Sequence, residues 1–383
     1  MKLPEYKAKE LFDRYGIKIM KGTVIDDAEK IKTANIPYPV VVKAQLPFGG
    51  RGKAGGVKFA ENEAEALEVA GAMLGGSIKG HTVDRVLVTE KLELAEEWYL
   101  SITLNRASKC PLVIFSASGG VDIEETARTN PEKVVRADIN PLVGIGDYTV
   151  RYIINKSGIP ASYFDELGEL LKKLYAIFMD CSCLLAEINP LAVAVGGGLV
   201  ALDGKVDIDD AALYKLPDIA EFAKSLPTDP KTAEAAKANL LYIPVEAEGE
   251  IGVISNGSGM IMSCIDQFAK KGLRVGAAID LGGGATAEKV KAAVAIMLSH
   301  KTLHTLFISI FGGITRCDEV AAGVIAALEQ LEQFGGNKYV VLRMEGTNKE
   351  KGLELLRGSG AKLATARDIP DGVDLICKGG PLK

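Results

Sequence analysis

From residue 250 onward one pattern governs the chain: an apolar run, a glycine turn and a helix-length segment, repeated four times. The run at 250–255 leads through Gly257-Ser258-Gly259 into a helix over 260–271. The run at 275–280 leads through Gly282-Gly283-Gly284 into a helix over 286–298. A third unit reads 306–311, Gly312-Gly313 and 316–331, and a fourth reads 339–343 with a helix from Asn348. Strands that alternate with helices in this way predict a parallel sheet with right-handed crossovers. Each strand's carboxyl end then meets a glycine turn and a helix N-terminus, where anions are favoured. Glycine serves a tight turn equally well at any one of these places. Three such turns together make an anion-facing rim the better reading.

Upstream, Leu216-Pro217, Leu226-Pro227 and Asp229-Pro230 punctuate a polar, Ala/Lys-rich stretch over 216–244 that carries no strand signal. A helical interdomain linker is expected there, giving a first domain over 1–225, a linker over 226–244 and a second domain over 245–383. With 383 residues, 48% of them hydrophobic, the chain can build two or three cores. In the first half, 99–104 and 112–116 read as a hairpin and 165–180 as a helix.

Net charge is −5 with both signs interspersed, which argues against nucleic acid and anionic membranes as partners. No apolar run approaches the roughly 20 residues that span a bilayer. Residues 1–14 read as an amphipathic helix carrying acids and bases, unlike a secretory or transit signal. The six cysteines contain no C-x-x-C pair. A reduced, cytoplasmic protein with no metal held at sulfur is expected.

The first half carries two chemical motifs. Glu187-Ile188-Asn189-Pro190-Leu191 is followed, after Gly196-Gly197-Gly198, by Leu202-Asp203-Gly204-Lys205. Residues 184–188 and 199–202 read as neighbouring strands, about 4.8 Å apart. Glu187, Asn189 and Asp203 can therefore converge on one volume. Hard oxygen donors of this kind suit Mg²⁺, which takes one or two carboxylates and fills its shell with phosphate oxygens. A polar hairpin end with an Asn-Pro turn is the plainer alternative.

The second motif begins at Pro39-Val40-Val41-Val42-Lys43, a β-branched run whose lysine is costly to bury unless it meets an anion. Gly49-Gly50-Arg51-Gly52-Lys53-Ala54-Gly55-Gly56 follows. Glycines let backbone N–H groups approach phosphates, and Arg51 and Lys53 add charge. A Walker loop fails, because Ala54 follows Lys53. A dinucleotide fingerprint fails, because Val57-Lys58-Phe59 continues as a strand where a helix is required. A flexible basic hairpin and a glycine-rich flap over a nucleoside triphosphate remain, and the flap is the better functional reading.

Taken in order, these motifs resemble the succinyl-CoA synthetase (succinate–CoA ligase) β-subunit family, and the likeness runs from Glu5-Tyr6 to the last strand. Its further carriers are Gly119-Gly120-Val121-Asp122-Ile123-Glu124, Asp280-Leu281-Gly282-Gly283-Gly284-Ala285, Ile310-Phe311-Gly312-Gly313-Ile314 and Arg343-Met344-Glu345-Gly346-Thr347-Asn348. The resemblance implies an α/β protein with an N-terminal ATP-grasp fold followed by a flavodoxin-like CoA-ligase domain built on a parallel sheet. It implies a nucleotide site at Lys43, Gly50, Arg51, Gly52, Thr89, Leu92 and Glu97, and one Mg²⁺ per subunit on Asn189 and Asp203. Glu187 would meet a phosphohistidine, and Asn256, Gly313, Ile314 and Thr315 would border the organic-acid site.

It further implies ATP or GTP as nucleotide, a dicarboxylate substrate and an α subunit that carries the phosphohistidine and the CoA site. The assembly would be a heterodimer or a heterotetramer. The helix from Arg316 is the candidate to stabilise the phosphohistidine charge. Thr89 and Ser118 depart from the family, which is commonly acidic at both positions. Three alternatives stand beside this reading: a malate–CoA ligase β subunit, a single-chain ATP-grasp amide ligase, and a non-catalytic nucleotide-binding subunit. The chain's own histidines, His81, His300 and His304, sit in no glycine-rich catalytic loop, so a partner is expected to supply the phosphoryl carrier.

Overall fold

A computed structural model of the chain describes residues 1–46, 51–52, 54–226, 229–330 and 338–379. They fall into two units, Met1–Ser225 and Leu226–Lys383. The first begins with α1 (Glu5–Arg14), β1 (Gly22–Ile25), β2 (Val40–Ala44), β3 (Val57–Ala60), α2 (Glu63–Met73), β4 (Ser77–Ile78), β5 (His81–Thr82) and β6 (Val86–Glu90). An antiparallel sheet runs in the order β1-β6-β2-β3. Along β2 the side chains alternate as a strand requires. Val40, Val42 and Ala44 are buried in the core, while Val41 and Lys43 are only half-buried on the other face.

The unit continues with β7 (Leu94–Asn105), β8 (Cys110–Ser116), α3 (Ile123–Thr129), β9 (Val135–Asp138), α4 (Asp147–Ser157), α5 (Phe164–Asp180), β10 (Cys183–Ala194), β11 (Leu199–Ala201), β12 (Gly204–Ile208) and α6 (Pro217–Ser225). These strands form a second sheet, ordered β11-β10-β7-β8-β9, with β12 also on β10. The apolar spacing of α5 turns Leu167, Leu170, Leu171, Leu174, Ile177 and Phe178 into this sheet's core. Each such leucine contributes about 1.5–3 kcal/mol by leaving water. Strand β12 pairs with residues 183–188 of β10 and β11 with residues 191–193, so Leu202 and Asp203 fall in the break between them. The pairing of β10 with β7 shifts between Ile188 and Leu191, which takes Asn189 and Pro190 off the ladder.

The second unit contains α7 (Pro230–Lys237), β13 (Leu241–Pro244), β14 (Ile251–Ser255), α8 (Ser258–Lys270), β15 (Val275–Asp280), α9 (Ala287–Leu298), β16 (Thr305–Gly312), α10 (Cys317–Leu328), β17 (Tyr339–Gly346), α11 (Lys349–Ser359), β18 (Ala364–Ala366) and α12 (Ile369–Gly379). Its sheet runs β13-β15-β14-β16-β17-β18. All pairs are parallel except β13 with β15. Without β13 the order is the flavodoxin-like one, and the chain switches direction between β14 and β16. Helices α8 and α12 pack on one face, and α9, α10 and α11 on the other.

The stretch expected as a linker departs from expectation. Residues 230–244 belong to the second unit, where Ala235, Leu240 and Tyr242 are buried and β13 extends the sheet. The proline signal has a different cause from a spacer. Asp229 caps α7 by accepting from the Thr232 N–H at 2.9 Å, and Pro230 opens the helix where its missing N–H costs nothing. Among the described residues no helix is long and apolar enough to cross a membrane.

Candidate active site

A cavity of about 1080 Å³ opens in the first unit. Lys43, Arg51, Gly52, Thr89, Leu92, Glu97, Glu187, Asn189 and Asp203 all line it. Gly50, with Gly49 and Lys53, lies outside the described residues. Both sheets contribute: β2 and β6 bring Lys43 and Thr89, β7 brings Glu97 and Tyr99, and β10 brings Glu187 and Asn189. Thr89 is buried, while Glu97 is exposed and sets its carboxylate against Gly120.

The cationic end of the cavity is a closed network. Lys43 Nζ donates to Glu5 Oε1 at 2.9 Å and to the Leu202 carbonyl at 2.8 Å. Arg51 is 6% exposed, so it is an inward-facing group rather than a loose charge on a flap. Its Nη1 meets Glu5 Oε2 at 2.9 Å and the Ala44 carbonyl at 3.2 Å. Its Nη2 donates to both oxygens of Asp203, at 2.9 and 2.8 Å, and the Gly204 N–H donates to Asp203 Oδ1 at 2.7 Å. Burial and the Glu5 charge push the Asp203 carboxyl up, against the pull of Arg51 and Lys43. Arg51, bound to both Asp203 oxygens, is the nearest of these opposing cations.

Next along the wall, Glu187 lies opposite Ser101 on β7 and Lys205 on β12. Tyr99 donates its hydroxyl proton to Glu187 Oε2 at 3.0 Å. Burial raises the Glu187 carboxyl above its ordinary range, partly offset by Lys205 and the Tyr99 hydrogen bond. The Asn189 amide is held on both sides by the loop before α3: Oδ1 accepts from Gly120 N–H at 2.8 Å, and Nδ2 donates to the Val121 carbonyl at 3.2 Å. One carboxylate and one carboxamide oxygen fit Mg²⁺, which draws its other ligands from water and phosphate. Among the described residues no three His, Cys, Asp or Glu side chains converge as a metal cage of their own.

The second unit has its own constellation. Asn256 follows β14 and Gly313, Ile314 and Thr315 follow β16, at the switch point where open α/β sheets receive ligands. The Asn256 amide grips Phe311, donating to its carbonyl at 2.8 Å and accepting from its N–H at 3.0 Å. Thr315 is buried and accepts from Gly284 N–H at 3.1 Å, whereas Ile314 is 86% exposed. The first turn of α10 already holds a charge cluster, with Asp318 bound by Arg316, Asn348 and Lys351.

Glu5 and Tyr99 enter the picture only with the three-dimensional structure. Tyr99 read as an ordinary strand residue. Glu5 and Lys9 read as the polar face of an amphipathic helix, yet both are buried. The one available signal was their i, i+4 spacing beside the buried Ala8 and Phe12.

A model of the ATP-grasp domain matches residues 2–193, and a CoA-ligase model matches residues 254–369. Three proteins bearing the name succinate–CoA ligase (ADP-forming) subunit beta are close in sequence. That of Desulfatibacillum aliphaticivorans is 40% identical over 381 residues, covering 97% of this chain and 97% of that protein. That of Pyrobaculum arsenaticum is 42% identical, with 95% and 96% covered. That of Rubrobacter xylanophilus is 42% identical, with 93% and 92% covered. The solved structure of ATP citrate lyase from Methanothrix soehngenii, in complex with citrate and coenzyme A, shares the fold at a TM-score of 0.77 and 21% identity, over 98% of this chain and 99% of that one. With both family models matched in order and relatives 40–42% identical over nearly their whole length, the chain belongs to the succinate–CoA ligase β-subunit family.

Proposed function

We propose that this chain is the β subunit of an acid–thiol ligase that makes succinyl-CoA from succinate, CoA and ATP, reversibly, with an α subunit as its partner. The observation that carries the reading is the single cavity that brings together Lys43, Arg51, Glu187, Asn189 and Asp203. A carboxylate exchanges oxygen for a thiol only after activation. ATP supplies it: its γ-phosphoryl group passes to a histidine nitrogen and then to the carboxylate oxygen, and the thiolate displaces inorganic phosphate from the acyl phosphate. Phosphoryl transfer asks for charge neutralisation and in-line placement more than for covalent help.

Lys43 and Arg51 meet the phosphate oxygens, and Glu97 at the exposed end accepts ribose hydroxyls. Asn189 and Asp203 would hold Mg²⁺, which would supply neutralisation of phosphate charge. Glu187, oriented by Tyr99, receives the incoming histidine and holds its ring N–H. Asn256, Gly313, Ile314 and Thr315 border the acid. Succinate is the proposed acid, and ATP the proposed nucleotide ahead of GTP. None of the three histidines lines the cavity, and His300 is engaged by the Tyr242 hydroxyl at 2.8 Å, which supports a phosphoryl carrier on the partner.

Incubation with γ-labelled ATP, with and without the α subunit, followed by separation of the chains, tests this. Acid-labile label is expected on the partner alone, and acyl-CoA only from the complex. Label on this chain, or acyl-CoA formed without a partner, would favour a single-chain ligase.

A further inference from the structure

Glu5 does not line the cavity; it stands behind the two cations that do. Its side chain is fully buried and both of its oxygens are occupied. Oε1 accepts from Lys43 Nζ at 2.9 Å, and Oε2 pairs with Arg51 Nη1 at 2.9 Å and accepts from Gln45 Nε2 at 3.2 Å. One helical turn later Lys9 is 4% exposed, and its Nζ has no hydrogen-bond partner among the described residues. Burial alone would raise the Glu5 carboxyl, but Lys43 and Arg51 outweigh it and hold it at about 2. Burial and the Lys43 charge push the Lys9 ammonium down to about 8, which leaves it mostly charged at neutral pH. Three cations, Lys9, Lys43 and Arg51, therefore share one region with two carboxylates, Glu5 and Asp203.

A buried carboxylate needs one good partner to be tolerated. Glu5 has two, and they are the two side chains whose placement phosphate binding depends on. Because both cations hang on one carboxylate, their separation is set by its two oxygens. Arg51 then reaches on to Asp203 with the nitrogen that Glu5 leaves free.

We propose that Glu5 is a positioning residue of the nucleotide site: through Lys43 and Arg51 it fixes where the phosphate-facing cations stand, and together with Lys9 it sets how much positive charge they present. The inference rests on the nucleotide reading of the cavity. A purely structural Glu5 would serve only to neutralise buried charge. In that case activity, nucleotide affinity and folding fall together when it is replaced.

The test uses Glu5→Gln, Lys9→Met and the double variant, each co-expressed with the α subunit. Mg·ATP affinity is read by calorimetry, kcat by acyl-CoA formation and folding by the fluorescence of Trp98. Wild-type protein is measured first; if it does not bind Mg·ATP, the nucleotide reading fails before Glu5 is tested. Glu5→Gln is expected to lower kcat about tenfold or more while Mg·ATP binds at least as tightly as to wild type. Lys9→Met is expected to weaken Mg·ATP binding by about three- to tenfold, since it removes one positive charge from a poorly solvated region. The double variant restores the balance of charge and should recover wild-type affinity. Its kcat should stay low, because the anchor for Lys43 and Arg51 is still missing. Wild-type kcat in either Glu5 variant, or affinity that does not respond to Lys9, overturns the proposal. Failure of both Glu5 variants to fold assigns the residue to the fold alone and overturns it as well.

Discussion

Arg51 Nη2 stands 2.9 Å from one oxygen of Asp203 and 2.8 Å from the other, so a guanidinium covers the carboxylate proposed as a metal ligand. A divalent cation bound there would compete with Arg51 for the same oxygens, and nucleotide phosphates would give Arg51 an alternative anion. Asp203→Asn should slow phosphoryl transfer about tenfold or more, since losing ~1.4 kcal/mol of stabilisation suffices. Folding should change little, because Arg51 keeps Glu5 and the Ala44 carbonyl. Turnover of the complex against Mg²⁺ concentration is the measurement; a wild-type rate at limiting Mg²⁺ removes Asp203 from the metal site.

Lys43→Ala should weaken Mg·ATP binding, and Lys43→Arg should restore it only in part. A planar fork cannot place one compact charge between Glu5 Oε1 and the Leu202 carbonyl as an ammonium does. Calorimetric titration of the three proteins decides it. Equal affinity throughout makes Lys43 a strand end with no ligand role.

Lys9 makes the stability of the first unit depend on pH. Its folded value of about 8 lies below the ordinary 10.5. Between those two values the unfolded chain still holds a proton that the folded chain has released, so the first unit gains stability as pH rises through that window. Lys9→Met should abolish the gain and stabilise the unit at pH 7 by roughly 1–3 kcal/mol. Trp98, the one tryptophan of the chain and fully buried, reports urea unfolding of this unit. Parallel pH profiles for the two proteins count against a charged, buried Lys9.

Gly119 packs so tightly on β7 that a Cβ there would stand 2.2 Å from the Trp98 carbonyl oxygen. Gly119→Ala should therefore displace β7, costing about 1–3 kcal/mol of stability as overpacking does. Because the Gly119 N–H bonds to the Glu97 carbonyl at 2.7 Å, nucleotide affinity should fall with it. A variant with a wild-type Trp98 melting curve shows that the loop yields instead of the strand.

Most of the second unit was legible because its signals are local. A strand and its glycine turn lie within a few residues of each other, and the period of two or 3.6 shows in the side chains. That Glu187, Asn189 and Asp203 line one cavity was legible for the same reason: they are close in sequence, the first two on β10 and Asp203 in the break between the two strands, β11 and β12, that pair with it. The network around Glu5 was not. Glu5 lies 38 residues from Lys43 and 46 from Arg51, and only packing of α1 brings them together. Charged residues on a helix imply a solvated face unless something buries them, and no local pattern says what will. The prolines near residue 230 misled for a related reason: proline marks a helix start as readily as a spacer, and the distinction lies in what the helix packs against.

The amide of Asn256 closes two hydrogen bonds on Phe311, and so joins the loop after β14 to the end of β16. A loop tied to a strand end in this way has fewer conformations of its own to lose than a free loop has. The switch-point crevice is thereby stiffened in advance, and a ligand bound in it would lose less in ordering these residues.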